Sequence, residues 1–477
     1  MYDVLIIGAG VCGALTAREL SRYKLSVCIV DRGHDAASGA SRANSGIVHA
    51  GFDAKSGTLK AKLNVKGCRL MPKVAEELDV QYKNIPSVVV CLDKDEMPLL
   101  RELYQRGITN GVENMEIIDA DQLREIEPNI SDKAVAALYA KDAGVVSPYE
   151  LAIAAAENAV ANGADYKFNF EVSSVVEKDG YYVVSNGEQE IEAKYIVNAA
   201  GLRSDMIAAL FGDCDFELTA RRGEYMLFDK NVSGFVKNVL FVLPTKNGKG
   251  ILVAPTADGN MIIGPNACVV DRKDNTETTA FGLEEVHEGA LKLMPGLPSL
   301  RGVITSFAGQ RATPSTGDFI IRISDKHPHV LHLAGIESPG LASSPAIAQY
   351  AVELLGGAGL PLEARDDFNP YRKSPAGFRE LTDEQKAEVI KQNPAYGKIV
   401  CRCESITEGE ILAAINNPMG ATSIDGVKRR TRAGMGRCQG GFCSPKVAEL
   451  LAREMGVELD QITKAGGASK LLVGRTK

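Results

Sequence analysis

The sequence predicts an α/β fold: a Rossmann-like dinucleotide-binding domain interrupted by an antiparallel-sheet substrate domain, with a small further domain at the C-terminus. Three observations carry this. The chain opens on a short apolar run, Val4–Ile7, that leads straight into Gly8-Ala9-Gly10-Val11-Cys12-Gly13 and an amphipathic stretch, Ala14–Ser21. That order is strand, glycine turn, helix. Strand and helix patterns alternate near both ends of the first 360 residues, and a block of short strands lies between them. Four of the ten cysteines are crowded between residues 401 and 443, behind a polar stretch containing prolines.

In the first unit Gly8 allows the tight turn, Gly10 lets a pyrophosphate approach the backbone, and Gly13 lets helix and strand pack closely. The helix N-terminus offers free N–H groups to phosphates. A second strand, Ser26–Val30, ends on Asp31, eighteen positions after Gly13, where a carboxylate accepts hydrogen bonds from a ribose. A plain glycine turn is the alternative, and the flanking strands and the acid argue against it. The loop Ser38–Gly46, rich in serine and glycine, is placed to cross a cofactor with its backbone. Val74–Asp79 and Met97–Gly107 read as helices, and Ser87–Leu92 as a strand. The alanine-rich run from Pro148 to Asn162 reads as a helix, and Val172–Val176 with Tyr181–Ser185 flank Asp179-Gly180 as a hairpin. Ile196–Gly201 is a buried strand ending in small residues. From Arg221 to Pro265 short strands separated by Gly, Asn and Asp turns read as an antiparallel sheet, and Gly335–Gly340 opens the helix Leu341–Leu355. There is one dinucleotide fingerprint. An enzyme passing electrons from a bound flavin to NAD in one chain would normally show two, so NAD is not expected as its acceptor.

At 477 residues the chain has room for two or three domains. No apolar run reaches membrane-spanning length, and the first strand begins too early for a signal peptide. A cytoplasmic protein is expected, with membrane association only through a partner. Nothing resembles a DNA-reading helix pair, so no nucleic-acid partner is expected. The net charge is −7, but from Ala395 onward 13 Lys and Arg face 8 Asp and Glu, which gives +5 there and −12 elsewhere. The excess centres on Lys428-Arg429-Arg430-Thr431-Arg432, either a site for an acidic partner or a solvated face. Cys12, Cys28, Cys68, Cys91, Cys214 and Cys268 are scattered singly and read as small apolar fillers.

The fingerprint with Asp31-Arg32, the segment Asn44-Ser45-Gly46-Ile47-Val48-His49-Ala50-Gly51, the later Val197-Asn198-Ala199-Ala200-Gly201-Leu202-Arg203-Ser204-Asp205, and Arg222-Gly223-Glu224-Tyr225 together resemble the D-amino-acid-oxidase-type FAD-dependent oxidoreductases. Within that group the likeness is to flavin glycerol-3-phosphate dehydrogenases and L-2-hydroxyglutarate dehydrogenases. The resemblance covers about residues 1–360. It implies FAD, held by Gly8, Gly10, Gly13, Asp31, Arg32, Ser41, Asn44, Ser45, Gly46, Val172, Ala200, Gly201, Gly309, Gly340 and Leu341. It implies domains of 1–75, 140–215 and 300–363 for FAD, and 76–139 with 216–299 for substrate. Gly309-Gln310-Arg311 matches the family segment whose arginine faces substrate. Arginine supplies a planar fork suited to a carboxylate or phosphate; a structural salt bridge is the other reading of Arg311. His49 is the candidate for taking the proton of a substrate hydroxyl, against a histidine that merely packs beside the flavin. Tyr225 stands where relatives carry a substrate-contacting residue, against the plainer reading of a core tyrosine. Some positions depart. Phe52-Asp53 stands where respiratory glycerol-3-phosphate dehydrogenases carry a further arginine, Pro339 where they carry a lysine, and Gly57–Leu63 is closer to the 2-hydroxyglutarate branch.

Cys401-Arg402-Cys403 and Cys438-Gln439-Gly440-Gly441-Phe442-Cys443 give C-x-C, thirty-four residues, then C-x4-C. Four thiolates from two short loops can hold a [2Fe–2S] cluster; zinc is the alternative, and C-x-C is not the usual zinc-ribbon spacing. The cysteine spacing, Ile406–Ile411 and Lys428–Arg437 resemble the bacterioferritin-associated-ferredoxin-type [2Fe–2S] domain, which implies a mainly helical domain at 395–460 after a linker at 364–394, with a tail at 461–477. The same domain ends the catalytic subunit of anaerobic glycerol-3-phosphate dehydrogenases. The expectation is a dehydrogenase oxidising glycerol 3-phosphate, a small anionic hydroxy substrate, and passing electrons through the cluster to an electron-accepting protein or a membrane-anchor subunit. The alternatives are an L-2-hydroxyglutarate or other 2-hydroxy-acid dehydrogenase, and a flavin and iron–sulfur redox sensor without turnover.

Overall fold

The computed structural model describes residues 1–244 and 250–474. Residues 245–249, inside the block read as short strands, and 475–477, the end of the expected tail, lie outside the described residues. The first sheet has eight strands. At its centre Tyr2–Ile7 runs parallel to both Glu190–Asn198 and Val27–Val30, and Val330–Ala334 runs parallel to Glu190–Asn198. A central parallel strand is buried on both faces, which is why Val4–Ile7 is a continuous apolar run rather than an alternating one. Helices Val11–Leu20, Leu59–Glu77, Pro148–Ala161 and Gly340–Gly357 pack on one face through Leu15, Met71, Ala155 and Ile347. The hairpin at Asp179-Gly180 forms as its turn residues require, with Gly180 at φ +85°.

The second sheet has nine strands and supplies the floor of the site. Its spine is the pairing of Leu218–Phe228 with Val303–Pro314, antiparallel from Leu218 opposite Pro314 to Phe228 opposite Val303. The strand Val303–Pro314 therefore belongs to this sheet, although it falls within the 300–363 stretch expected in the FAD domain; its twelve residues find their hydrogen-bond partners along Leu218–Phe228. One parallel pair, Ser87–Cys91 with Val239–Val242, joins the two separate insertions into a single sheet.

Residues 364–394 are more than a polymer link. Asn158 donates to the carbonyls of Asn369 and Tyr371, Arg372 donates to the buried Glu157, and Asp383–Gln392 forms a helix with a Thr382–Gln385 capping box. The C-terminal domain is mainly helical, with helices Glu408–Ile415, Ile424–Thr431 and Ser444–Met455 around Ile411, Val427, Leu450 and Leu451. The stretch expected as a tail folds onto it: Ile462 is buried, and the carbonyls of Thr463 and Lys464 accept from the N–H groups of Ile424 and Asp425. Among the described residues no helix is long and apolar enough to cross a membrane.

The basic run turns inward. Arg430 is fully buried, with Nη1 and Nη2 on the two oxygens of Asp35 (2.7 and 2.8 Å) and Nε on Glu157 (3.0 Å). These three residues fasten the C-terminal domain to the first domain, so the cationic excess at this point is neither a solvated face nor a free partner surface.

Candidate functional site

The glycine turn is as tight as its motif requires. Gly8 adopts φ +115°, and a Cβ on it would lie 2.3 Å from the Ala199 carbonyl oxygen. A Cβ on Gly13 would lie 2.0 Å from the oxygen of Gly8, and one on Gly10 would touch Ser41 Oγ at 3.3 Å. Asp31 accepts from the N–H groups of Ala9 (2.8 Å) and Gly33 (2.7 Å), and burial raises its pKa against those bonds. Ser41 Oγ accepts from Val11 N–H (2.9 Å), so the loop is pinned to the helix N-terminus. Asn44 closes the loop on itself, donating to the Ala40 carbonyl and accepting from Gly46 N–H. Val172 and Ala200 pack beside Ile7 and Val30, and Gly201 follows in a left-handed turn. Arg32 is half exposed, 3.8 Å from Glu171. Gly309 meets the loop from the other sheet: a Cβ there would sit 1.8 Å from the Ala43 oxygen, so only glycine permits this contact. Gly340 and Leu341 open the eighteen-residue helix Gly340–Gly357, whose N-terminus carries the positive end of its dipole.

These residues fit a dinucleotide. The backbone is bared at Gly8 and Gly10, and Ser45 and Gly46 border a cavity of about 450 Å³ that is also lined by Thr305–Ala308, Pro148 and Tyr149.

Tyr225 and Arg311, two of the expected substrate residues, lie beside each other. Tyr225 stacks on Phe307 (centroids 4.9 Å apart); burial raises its pKa and the neighbouring Arg311 guanidinium opposes that. Arg311 runs across Gly223 to the Asn266 carbonyl at 3.4 and 3.5 Å. The Asn266 carbonyl is neutral, and among the described residues no salt bridge consumes the charge of Arg311. His49 packs its ring on Phe241 (5.7 Å) and borders a second small cavity with Phe52, Asp53, Leu103 and Val242; Asn64 holds its carbonyl. Lys60 is paired with Glu337 at 2.7 Å.

The cysteines fall into two pairs, each drawn from both loops. Cys403 and Cys438 sulfurs are 3.7 Å apart, and Cys443 stands beside Cys401, the largest influence lowering the Cys401 pKa. Backbone N–H groups of Phe442, Gly440 and Gly441 point at Cys438 and hold its pKa down. Among the described residues no three His, Cys, Asp or Glu side chains converge on one ion position. Two pairs suit the two irons of a [2Fe–2S] cluster, whereas one tetrahedral zinc needs all four around a point.

Several residues of the site carry no sequence signal. Glu404, beside Cys403, is 2% exposed and takes Lys230 (2.8 Å), Arg432 (2.9 Å) and Arg379 (3.4 Å). Burial alone would raise its pKa, but Arg432 and Lys230 hold it below the usual carboxylate range. Arg432 also reaches Asp258 and the Tyr149 hydroxyl. The cluster loop is thus tied to the helix Pro148–Ala161 and to the turns at Lys230 and Asp258 through groups remote in sequence.

Comparison with known proteins adds the chemistry. Residues 3–354 match the FAD dependent oxidoreductase family, and residues 399–453 match the BFD-like [2Fe-2S] binding domain. A glycerol 3-phosphate dehydrogenase of Caloramator mitchellensis is 47% identical over the whole of this chain and 99% of its own length. A glycerol 3-phosphate oxidase of Mycoplasma genitalium is 35% identical over 77% of this chain and 97% of its own. The FAD-bound structure of L-alpha-glycerophosphate oxidase from Mycoplasma pneumoniae superposes with a TM-score of 0.74 at 33% identity, covering 78% of this chain and 98% of that one.

Proposed function

The chain belongs to the FAD dependent oxidoreductase family and ends in a BFD-like [2Fe-2S] binding domain, and from that premise we propose that it oxidises sn-glycerol 3-phosphate to dihydroxyacetone phosphate and releases the electrons through its cluster. What carries this reading is a likeness to a glycerol 3-phosphate dehydrogenase that runs through the cluster domain as well as the flavin domain.

The roles of the residues follow from charge. Arg311, resting on a carbonyl and a phenol, offers its fork to the substrate phosphate, and Tyr225 steadies the fork. His49 takes the hydroxyl proton as the C–H hydride leaves. The Gly8–Gly13 turn and the Ser41–Gly46 loop would hold FAD, whose flavin would supply the hydride acceptor. The cluster held by Cys401, Cys403, Cys438 and Cys443 supplies a one-electron exit to a protein or membrane-anchored acceptor. Its surface position supports that role, since Cys403 is exposed and Phe442 beside Cys443 is 88% exposed. Oxygen is then a slow acceptor at most.

Anaerobic mixing with sn-glycerol 3-phosphate, L-2-hydroxyglutarate, lactate and amino acids, scored by flavin bleaching, tests the substrate. Fast bleaching by glycerol 3-phosphate is expected. Bleaching by L-2-hydroxyglutarate alone moves the assignment to the 2-hydroxy-acid branch, and no bleaching by any of them leaves a redox sensor.

A further inference from the structure

Four cations line the 450 Å³ cavity: Arg42 from the loop after the dinucleotide turn, and Lys428, Arg429 and Arg432 from the cluster domain. Arg432 is matched by Asp258 and Glu404. The other three are not matched in this way. Arg429 is 6% exposed and gives Nη2 to Asp35 at 3.0 Å, but that carboxylate already holds both terminal nitrogens of Arg430, and the Nε of Arg429 is buried without a partner. Arg42 is exposed and makes no ion pair among the described residues, and Lys428 is half-buried beside Asp425, the one other carboxylate lining the cavity. Three like charges that face one cavity repel one another, and the buried, unsatisfied Arg429 N–H among them lacks a partner unless an anion enters.

We propose that Arg42, Lys428 and Arg429 form a binding site for a phosphate-bearing anion, built jointly by the flavin domain and the cluster domain. The anion has two possible sources. One is the pyrophosphate of FAD, because the loop carrying Arg42 is pinned at Ser41 to the N–H of Val11 in the dinucleotide turn. The other is a separate phosphorylated ligand that enters between the domains. In the first case the cluster domain seals the flavin in place, so that one domain cannot let go without loosening the cofactor of the other. The proposal rests on FAD binding and is independent of which substrate is oxidised.

The test uses holoenzyme of the parent, Arg42→Met and Arg429→Met, with cluster absorbance checked in each. FAD release on dilution is followed by the fluorescence of free flavin, and inorganic pyrophosphate is titrated calorimetrically into each holoenzyme. If the site belongs to the cofactor, both variants release FAD at least about tenfold faster, the loss of one charge-assisted hydrogen bond, and pyrophosphate gives no heat. If it takes a separate ligand, release is unchanged, pyrophosphate binds the parent, and Arg42→Met abolishes that binding. Unchanged release together with no pyrophosphate binding to the parent overturns the proposal. Arg42→Met decides the matter even if Arg429→Met undocks the domain, because Arg42 takes no part in the Asp35 contact.

Discussion

In the proposed reaction, Arg311 is the residue on which substrate recognition turns. Arg311→Lys keeps the charge and loses the fork, so it should weaken binding and slow hydride transfer. Arg311→Ala should cost roughly 2–5 kcal/mol in kcat/KM by leaving the phosphate unpaired, while the yellow flavin spectrum persists, because no cofactor contact is assigned to this side chain. An Arg311→Ala enzyme with parental kcat/KM would make the arginine structural. His49→Gln should lower kcat by about 10²–10⁴ through loss of the proton acceptor, and a steady-state assay at saturating substrate reads it. The individual residues were unequally legible. Gly8, Asp31 and Arg311 announce themselves by motif. The stacking of Tyr225 on Phe307 follows only from the register of two strands some eighty residues apart, and the Glu404 hub gathers partners from three segments. Spacing along a chain carries no trace of such meetings.

Elements impose their own tests. Gly309→Ala drives a methyl group into the Ala43 carbonyl, so the Ser41–Gly46 loop must move, and the purified variant should carry substoichiometric FAD. The contact of the helix Ile424–Thr431 with Asp35 and Glu157 is a buried ion network. Asp35→Asn leaves Arg430 undercompensated and should cost roughly 3–5 kcal/mol of interdomain stability, seen as a separate early unfolding transition in calorimetry. Helix Pro148–Ala161 carries a pH signature. Burial raises Glu150 in its first turn from 4.5 to about 7. Between those values the native state keeps a proton that the unfolded chain has released, so the contribution of this group is complete at the acid end and is lost as pH rises toward 7. The Tm of Glu150→Gln should therefore fall less than that of the parent between about pH 5 and about pH 8, and parallel curves would remove Glu150 from the account. The elements themselves were readable where periodicity was strong, as in Val4–Ile7 and Pro148–Asn162. The long strand Val303–Pro314 was harder to assign, because a strand beside a domain boundary shows its period but not which sheet it joins.

For the whole molecule the question is why a flavin domain carries a cluster domain. Of the basic run read as either a partner site or a solvated face, Arg430 is part of the fastening between them, buried against Asp35 and Glu157, and Glu404 ties the cluster loop to Lys230, just beyond the strand Leu218–Phe228. Domains fixed in this way suit electrons that leave one at a time. The most direct measurement is an anaerobic single turnover with sn-glycerol 3-phosphate, following flavin absorbance and the electron paramagnetic resonance signal of the reduced cluster together, in the parent and in Cys438→Ser. In the parent, flavin bleaching should be followed by cluster reduction, with little peroxide when air is admitted; in Cys438→Ser the flavin should bleach and stay reduced. A parent whose flavin is reduced while its cluster remains oxidised, and which then yields stoichiometric peroxide in air just as Cys438→Ser does, would contradict the account.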